Sequence, residues 1–165
     1  KMNAPDDTAS VGVQIILLVE DSIRFYSSAL PHLYKFVLEQ SQMFAKEALN
    51  DHQRTLRMRG RPKIKLARNY EEAVRIFADS RPGEIDAILM DVMMPVMDGL
   101  EATRRIRAMK RPDARTIPII AMTANAFAED RQRAFAAGMD MHIAKPLEGS
   151  EMVETLERFV KSSRK

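Results

Sequence analysis

Ile85-Asp86-Ala87-Ile88-Leu89-Met90-Asp91-Val92-Met93-Met94-Pro95-Val96-Met97-Asp98-Gly99 is the stretch that decides how the rest of the chain is read. Its first half is a compact apolar run, short enough for a strand buried on both faces, as strands of parallel sheets are. The run stops on one carboxylate, Asp91, and a loop containing Pro95 follows, closed by Asp98-Gly99. An acid where a buried strand meets its loop lies at the carboxyl edge of a sheet, the edge at which open α/β sheets bind ligands. Taken alone, the stretch also allows Asp91 to be no more than a cap or a turn residue.

The chain has 165 residues, 45% hydrophobic and 30% charged, which describes one soluble globular domain able to bury a real core. No apolar run approaches the roughly 18 residues of a membrane span, and no basic-then-apolar start marks a secretory signal. Zero cysteines exclude disulfides, thiol catalysis and thiolate metal sites, and fit a cytoplasmic location. A net charge of +3 is too mild an excess to decide a partner.

Residues 1–12 are nearly free of apolar side chains and read as a linker or flexible tail, and 163–165 as a short tail. Val13–Val19 repeats the central arrangement: an apolar strand, then Glu20-Asp21, then Ser22 or Asp21 positioned to cap a helix. From Ile23 to about Leu56 a helical pattern continues for unusually long. Pro31 inside it predicts a kink or break near Ser27–Leu30. The distal half reads either as a projecting arm, open to self-association, or as a second helix folded back; the arm is preferred. Arg54 to Arg68 is basic throughout, yet carries no aromatic residue for stacking on bases and accompanies no nucleic-acid module, so a solvated face or a docking patch for an acidic protein outweighs nucleic acid as its role. Lys63–Ala67 looks like an edge strand. Asn69 caps a helix over 70–79, Gly99–Met109 forms the next, and Ile117–Met122 is a fourth strand delivering Thr123. A helix over about 126–137 stops at Gly138, Met141–Ala144 is a short fifth strand ending at Lys145-Pro146, and Ser150 caps a last amphipathic helix. Five βα repeats predict a parallel sheet with helices on both faces.

The strand ends then carry Glu20-Asp21, Asp91, Thr123 and Lys145. Three acids together are unfavourable unless a cation shares them, and all-oxygen ligation suits Mg²⁺. A hydroxyl and an ammonium facing those acids suit the oxygens of an incoming anion, so the set fits phosphoryl transfer to the Asp91 carboxylate. No Ser-His-Asp grouping, Walker loop or Gly-x-Gly-x-x-Gly competes, and His32, His52 and His142 are too scattered for a metal cluster.

Val19-Glu20-Asp21-Ser22, the run Met90 to Gly99, Ala121-Met122-Thr123-Ala124 and Ala144-Lys145-Pro146 resemble the response-regulator receiver domain of two-component signalling, over roughly residues 13–162. The stretch from Ile85, with Thr123 to Ala126 and Gly138 to Pro146, is similar to receivers of hybrid histidine kinases. The resemblance implies a flavodoxin-like (βα)5 doubly wound sheet of order 2-1-3-4-5, here with an extended first helix. It implies Asp91 as phosphoacceptor, and Glu20 and Asp21 as acidic-pocket residues. Mg²⁺ would lie on Asp21, Asp91 and the Met93 carbonyl, and Thr123 and Lys145 would contact the phosphoryl group. It implies a histidine kinase or histidine phosphotransfer protein as donor, output through the face of the fourth helix and fifth strand, and a cis Lys145–Pro146 bond that aims the lysine inward.

Two departures stand out. Asp21 and Asp91 are 70 positions apart, more than the family needs, with the excess in the extended helix and basic insertion over about 31–62. His142 occupies the position, three before Lys145, of an aromatic switch residue; an ordinary half-buried histidine is its plainer reading. Met93 and Asn125 flank the pocket at positions that tune hydrolysis, and neither activates water well, which predicts slow self-dephosphorylation. The twelve methionines are read mainly as core and gap filling. The main rival is a scaffold that uses the long helix and basic patch without being phosphorylated, against which the intact acidic, hydroxyl and ammonium set argues. A hydrolase of the haloacid dehalogenase type needs a second Asp where Met93 stands. The cognate kinase, the output, and whether the chain stands alone, belongs to a larger hybrid protein or is composite are left open by the sequence.

Overall fold

The computed structural model of the protein describes residues 15–46, 63–95, 97–124, 127–146 and 149–162. The expected tails, the far end of the long helix, Arg54 to Arg61 of the basic segment and Asn125 lie outside the described residues.

Five parallel strands form one sheet in the order β2-β1-β3-β4-β5. They are β1 (Ile15–Val19), β2 (Lys63–Ala67), β3 (Ala87–Asp91), β4 (Ile119–Thr123) and β5 (Met141–Ala144). The helices α1 (Ile23–Lys46), α2 (Tyr70–Asp79), α3 (Gly99–Ala108), α4 (Ala128–Ala136) and α5 (Gly149–Ser162) alternate with them. β1, β3 and β4 are buried at every position, which is why each reads as a continuous apolar run. The period-2 alternation sorts their side chains into two layers. Ile15, Leu17, Val19, Ile88, Met90, Ile119 and Ala121 pack with the apolar faces of α2 and α3 and with Ala134 of α4. Ile16, Leu18, Ala87, Leu89, Ile120, Met122 and Ile143 pack with Ala29, Leu33, Phe36 and Val37 of α1 and Met152 and Leu156 of α5. β2 is an edge strand, as its lysines suggest, and Lys65 reaches Glu84 at 3.1 Å.

The helix ends follow local chemistry. Asn69 accepts from the Glu72 N–H and Asp98 from the Glu101 N–H, so each caps its helix. Gly138, at φ +99°, ends α4 as expected, its N–H on Phe135 O and the Met139 N–H on Ala134 O.

Two expectations are corrected. The break at Ser27–Leu30 does not occur: α1 runs through Pro31 as one helix. Pro31 and Ser27, the residue whose carbonyl loses its intrahelical donor, both face solvent, where water takes the bond, while Ala29, Leu33, Phe36 and Val37 hold the opposite face in the core. The second correction concerns Ser150, which does not cap α5, because the helix already begins at Gly149. There the chain passes so close to His32 that an added Cβ would lie 2.1 Å from its ring.

Candidate functional site

Strand register assembles the site. β1 pairs Val19 with Met90, β3 pairs Asp91 with Met122, and β4 pairs Thr123 with Ala144. One step beyond these pairs, Glu20 meets Asp91, Asp91 meets Thr123, and Thr123 meets Lys145. Backbone bonds continue the ladders past the strand ends, with Glu20 N–H on Ala67 O, Val92 N–H on Met122 O and Lys145 N–H on Thr123 O at 2.7–3.0 Å.

The Lys145 ammonium lies 2.6 Å from Glu20 Oε2 and 3.0 Å from Asp91 Oδ2, with all three side chains at most 5% exposed. Burying charges is tolerable only when they are paired, and this trio is. Each acid also accepts a backbone N–H: Glu20 Oε1 from Ser22 and Asp91 Oδ1 from Met93, both at 3.1 Å. Burial pushes the Glu20 carboxyl above the usual carboxylate range; the Lys145 hydrogen bond opposes this and the neighbouring Asp91 charge adds to it. Asp21 is exposed at the rim, and carboxylate oxygens of Glu20, Asp21 and Asp91 lie within 4.8 Å of one another. Three hard oxygen donors, one open to solvent, are a donor set that fits Mg²⁺ with part of its water shell retained. The Lys145–Pro146 peptide is cis.

Beside the acids lies a cleft of about 450 Å³ whose lining includes Asp21, Met93, Pro95, Thr123 and Arg133. Met93 is 71% exposed at its mouth. Thr123 is buried, and its Oγ1 is 2.7 Å from Nε2 of the half-buried His142. All the residues singled out from the sequence therefore gather at one sheet edge, apart from Asn125, which lies outside the described residues. Two others join them. Phe25 places its ring 4.4 Å from the Lys145 ammonium, a cation–π contact at the back of the site. It lies one helical turn after Asp21, which is the only signal in the sequence. Arg133, from α4, reaches the cleft lining and has no signal in the sequence.

The sequence profile of the response regulator receiver domain matches residues 37–157. The chain belongs to that family. The matched span starts inside α1, so it is the register of β1, not the match, that brings Glu20 and Asp21 to the receiver's site. The chain is 39% identical over 109 residues to Probable histidine kinase 2 of Oryza sativa subsp. indica, covering 59% of this chain and 10% of that protein. It is 43% identical over 100 residues to Two-component system protein A of Emericella nidulans, covering 61% of this chain and 14% of that protein. The receiver thus spans a small part of the curated relatives it matches. Among solved structures it resembles the receiver domain of a sensor histidine kinase from Pseudomonas aeruginosa PAO1, with a magnesium ion coordinated in its active-site cleft. That likeness has a TM-score of 0.59 at 34% identity, over 90% of this chain and 98% of that one. A receiver domain of a signal transduction histidine kinase from Syntrophus aciditrophicus gives a TM-score of 0.63 at 28% identity, over 91% and 92%.

Proposed function

We propose that this receiver accepts a phosphoryl group from a phosphohistidine onto Asp91, with Mg²⁺ as the metal, and that the Thr123–His142 side of the site carries the conformational response. The observation that supports this most is the buried Lys145 ammonium shared between Glu20 and Asp91, with Thr123 at the same edge. Such an arrangement serves as a prepared anion site better than as a stability device, because buried ion pairs roughly break even against apolar packing.

In the proposed step an Asp91 carboxylate oxygen attacks phosphorus in line. The O–P bond forms, the N–P bond breaks, and its electron pair stays on the donor's imidazole nitrogen. Lys145 neutralises charge on the phosphoryl oxygens, and Thr123 donates a hydrogen bond to one of them. Asp21, Asp91 and the Met93 carbonyl, with Glu20 alongside, would hold Mg²⁺, which when bound neutralises further phosphoryl charge. Thioether Met93 at the cleft mouth orients no attacking water, which supports slow hydrolysis of the product. The donor is a histidine kinase or a histidine phosphotransfer protein, and the receiver works in the cytoplasm. Tyr34, Leu38 and Met43, exposed along α1, supply the apolar face for self-association.

Mg²⁺-dependent labelling with acetyl phosphate, followed by intact mass, tests the reading on the parent chain and on Asp91→Asn. The parent gains one phosphoryl group only with Mg²⁺ and retains it for many minutes after donor removal, while Asp91→Asn gains none. Equal labelling of the two overturns the assignment. A half-life of seconds overturns the slow-hydrolysis part alone. An unlabelled parent favours the scaffold alternative.

A further inference from the structure

We propose that His142 sets the direction of the Thr123 hydroxyl proton, and that its Nε2 carries a proton facing Thr123 whenever a phosphoryl group occupies the cleft. The inference rests on the reading of Asp91 as phosphoacceptor and adds a positioning residue to that site.

The geometry comes from the β4–β5 register. His142 stands opposite Ala121, two positions before Thr123 and so on the same face of the sheet, the diagonal that a long side chain spans. Its Nε2 closes on Thr123 Oγ1 at 2.7 Å. At that separation one hydrogen must lie between the two atoms, because two lone pairs would repel. A threonine hydroxyl has a single hydrogen and two acceptor lone pairs, and a neutral imidazole has one protonated and one bare nitrogen. Only two arrangements follow.

In the first, Nε2 is bare and the Thr123 hydrogen is spent on it. The hydroxyl then offers only lone pairs to a phosphoryl oxygen that is itself negatively charged. In the second, Nε2 carries a hydrogen and donates it to Oγ1, and the hydroxyl hydrogen is released towards the cleft that Thr123 lines. Only the second stabilises a bound phosphoryl group while the His142–Thr123 contact is kept. A carbocyclic ring at position 142 could not make this donation. His142 acts through Thr123 and touches no reacting atom.

The test uses the full ¹⁵N-labelled chain with Mg²⁺, with and without beryllofluoride. Amide resonances of Asp91 and Met93 report engagement of the site, and two-bond ¹H–¹⁵N correlations of the His142 ring report which nitrogen is protonated. With the site engaged, Nε2 appears as a protonated nitrogen hydrogen-bonded to Thr123. An engaged site with a bare Nε2, or with that hydrogen bond lost, overturns the inference and leaves the phosphoacceptor reading intact. Amides that do not respond overturn both. His142→Phe weakens beryllofluoride binding about tenfold, the scale of one hydrogen bond to a charged group. His142→Gln, whose amide N–H can donate to Oγ1, keeps most of the affinity. Equal affinities for the two variants also overturn the inference.

Discussion

Gly99 shows how much of the site depends on a single residue. A Cβ there would lie 2.2 Å from the carbonyl oxygen of Asp91 and 2.9 Å from Met90 Cγ, and the first of these is backbone that cannot step aside. The Gly99 N–H also bonds Val92 O at 3.0 Å, which fixes the turn that returns the chain from β3 to α3. Gly99→Ala therefore displaces Asp91 itself. We expect a loss of about 1–3 kcal/mol in denaturant unfolding, the cost of overpacking, together with at least tenfold slower Mg²⁺-dependent labelling. Wild-type stability and labelling would contradict this. Residues of this kind are legible when their neighbours in sequence are their neighbours in space: Asp91, Asp98 and Gly99 declare themselves within one loop. Phe25 does not, because its contact with Lys145 joins residues 120 positions apart. For His142 the sequence supplied the position but not the bond to Thr123, which depends on β4–β5 register.

At the scale of elements, α1 is the informative case. Its 24 residues extend about 36 Å, and Pro31 lies inside. If the helix is continuous, Pro31 costs it a hydrogen bond and a tight fit against Ser27, for which an exposed alanine is a remedy. Pro31→Ala should raise unfolding stability by about 1–2 kcal/mol, the helix gain of up to ~3 being offset partly by the greater freedom of the unfolded chain. A neutral or destabilising result would mean that the helix is broken there. The strands were easier to read than this helix. β1, β3 and β4 are buried on both faces, so apolar runs bounded by acids or Thr123 locate them almost to the residue. Whether a proline breaks a helix depends on what packs against the other side, and here the layer shared with α5 holds both halves in line.

On the scale of the whole molecule, arginines tie the connections together far from the phosphoacceptor edge. Arg111 pairs with Asp113 at 2.6 Å, stacks 3.9 Å from the Phe77 ring, and donates to the carbonyls of Phe77 and Ser80, joining the end of α2 to the segment before β4. Asp113 also accepts the Gly83 N–H at 2.8 Å. Partial burial alone would raise this carboxyl, but the bonds from Arg111 and Gly83 outweigh it and hold it below its ordinary 3.8. An acid depressed on folding contributes stability in full above its unfolded value and loses it as the pH falls through the folded one. Asp113→Asn should therefore cost about 1 kcal/mol at pH 7, solvent screening included, and the gap to wild type should close in melting curves taken below 3.8. A gap that stays constant across that range would remove the ion pair from the account. Such ties were not visible in the sequence, where Arg111-Pro112-Asp113 reads only as a helix stop.

The central claim is that the carboxylate where β3 ends is the one that takes the phosphoryl group. Borohydride reduces an acyl phosphate to an alcohol and leaves free carboxylates alone, so reduction of the phosphorylated protein followed by peptide mapping marks the acceptor directly. The account predicts one reduced side chain, at position 91, formed only when Mg²⁺ and phosphodonor are both present. Reduction at Glu20 or Asp21, or none at all in the presence of both, would contradict it.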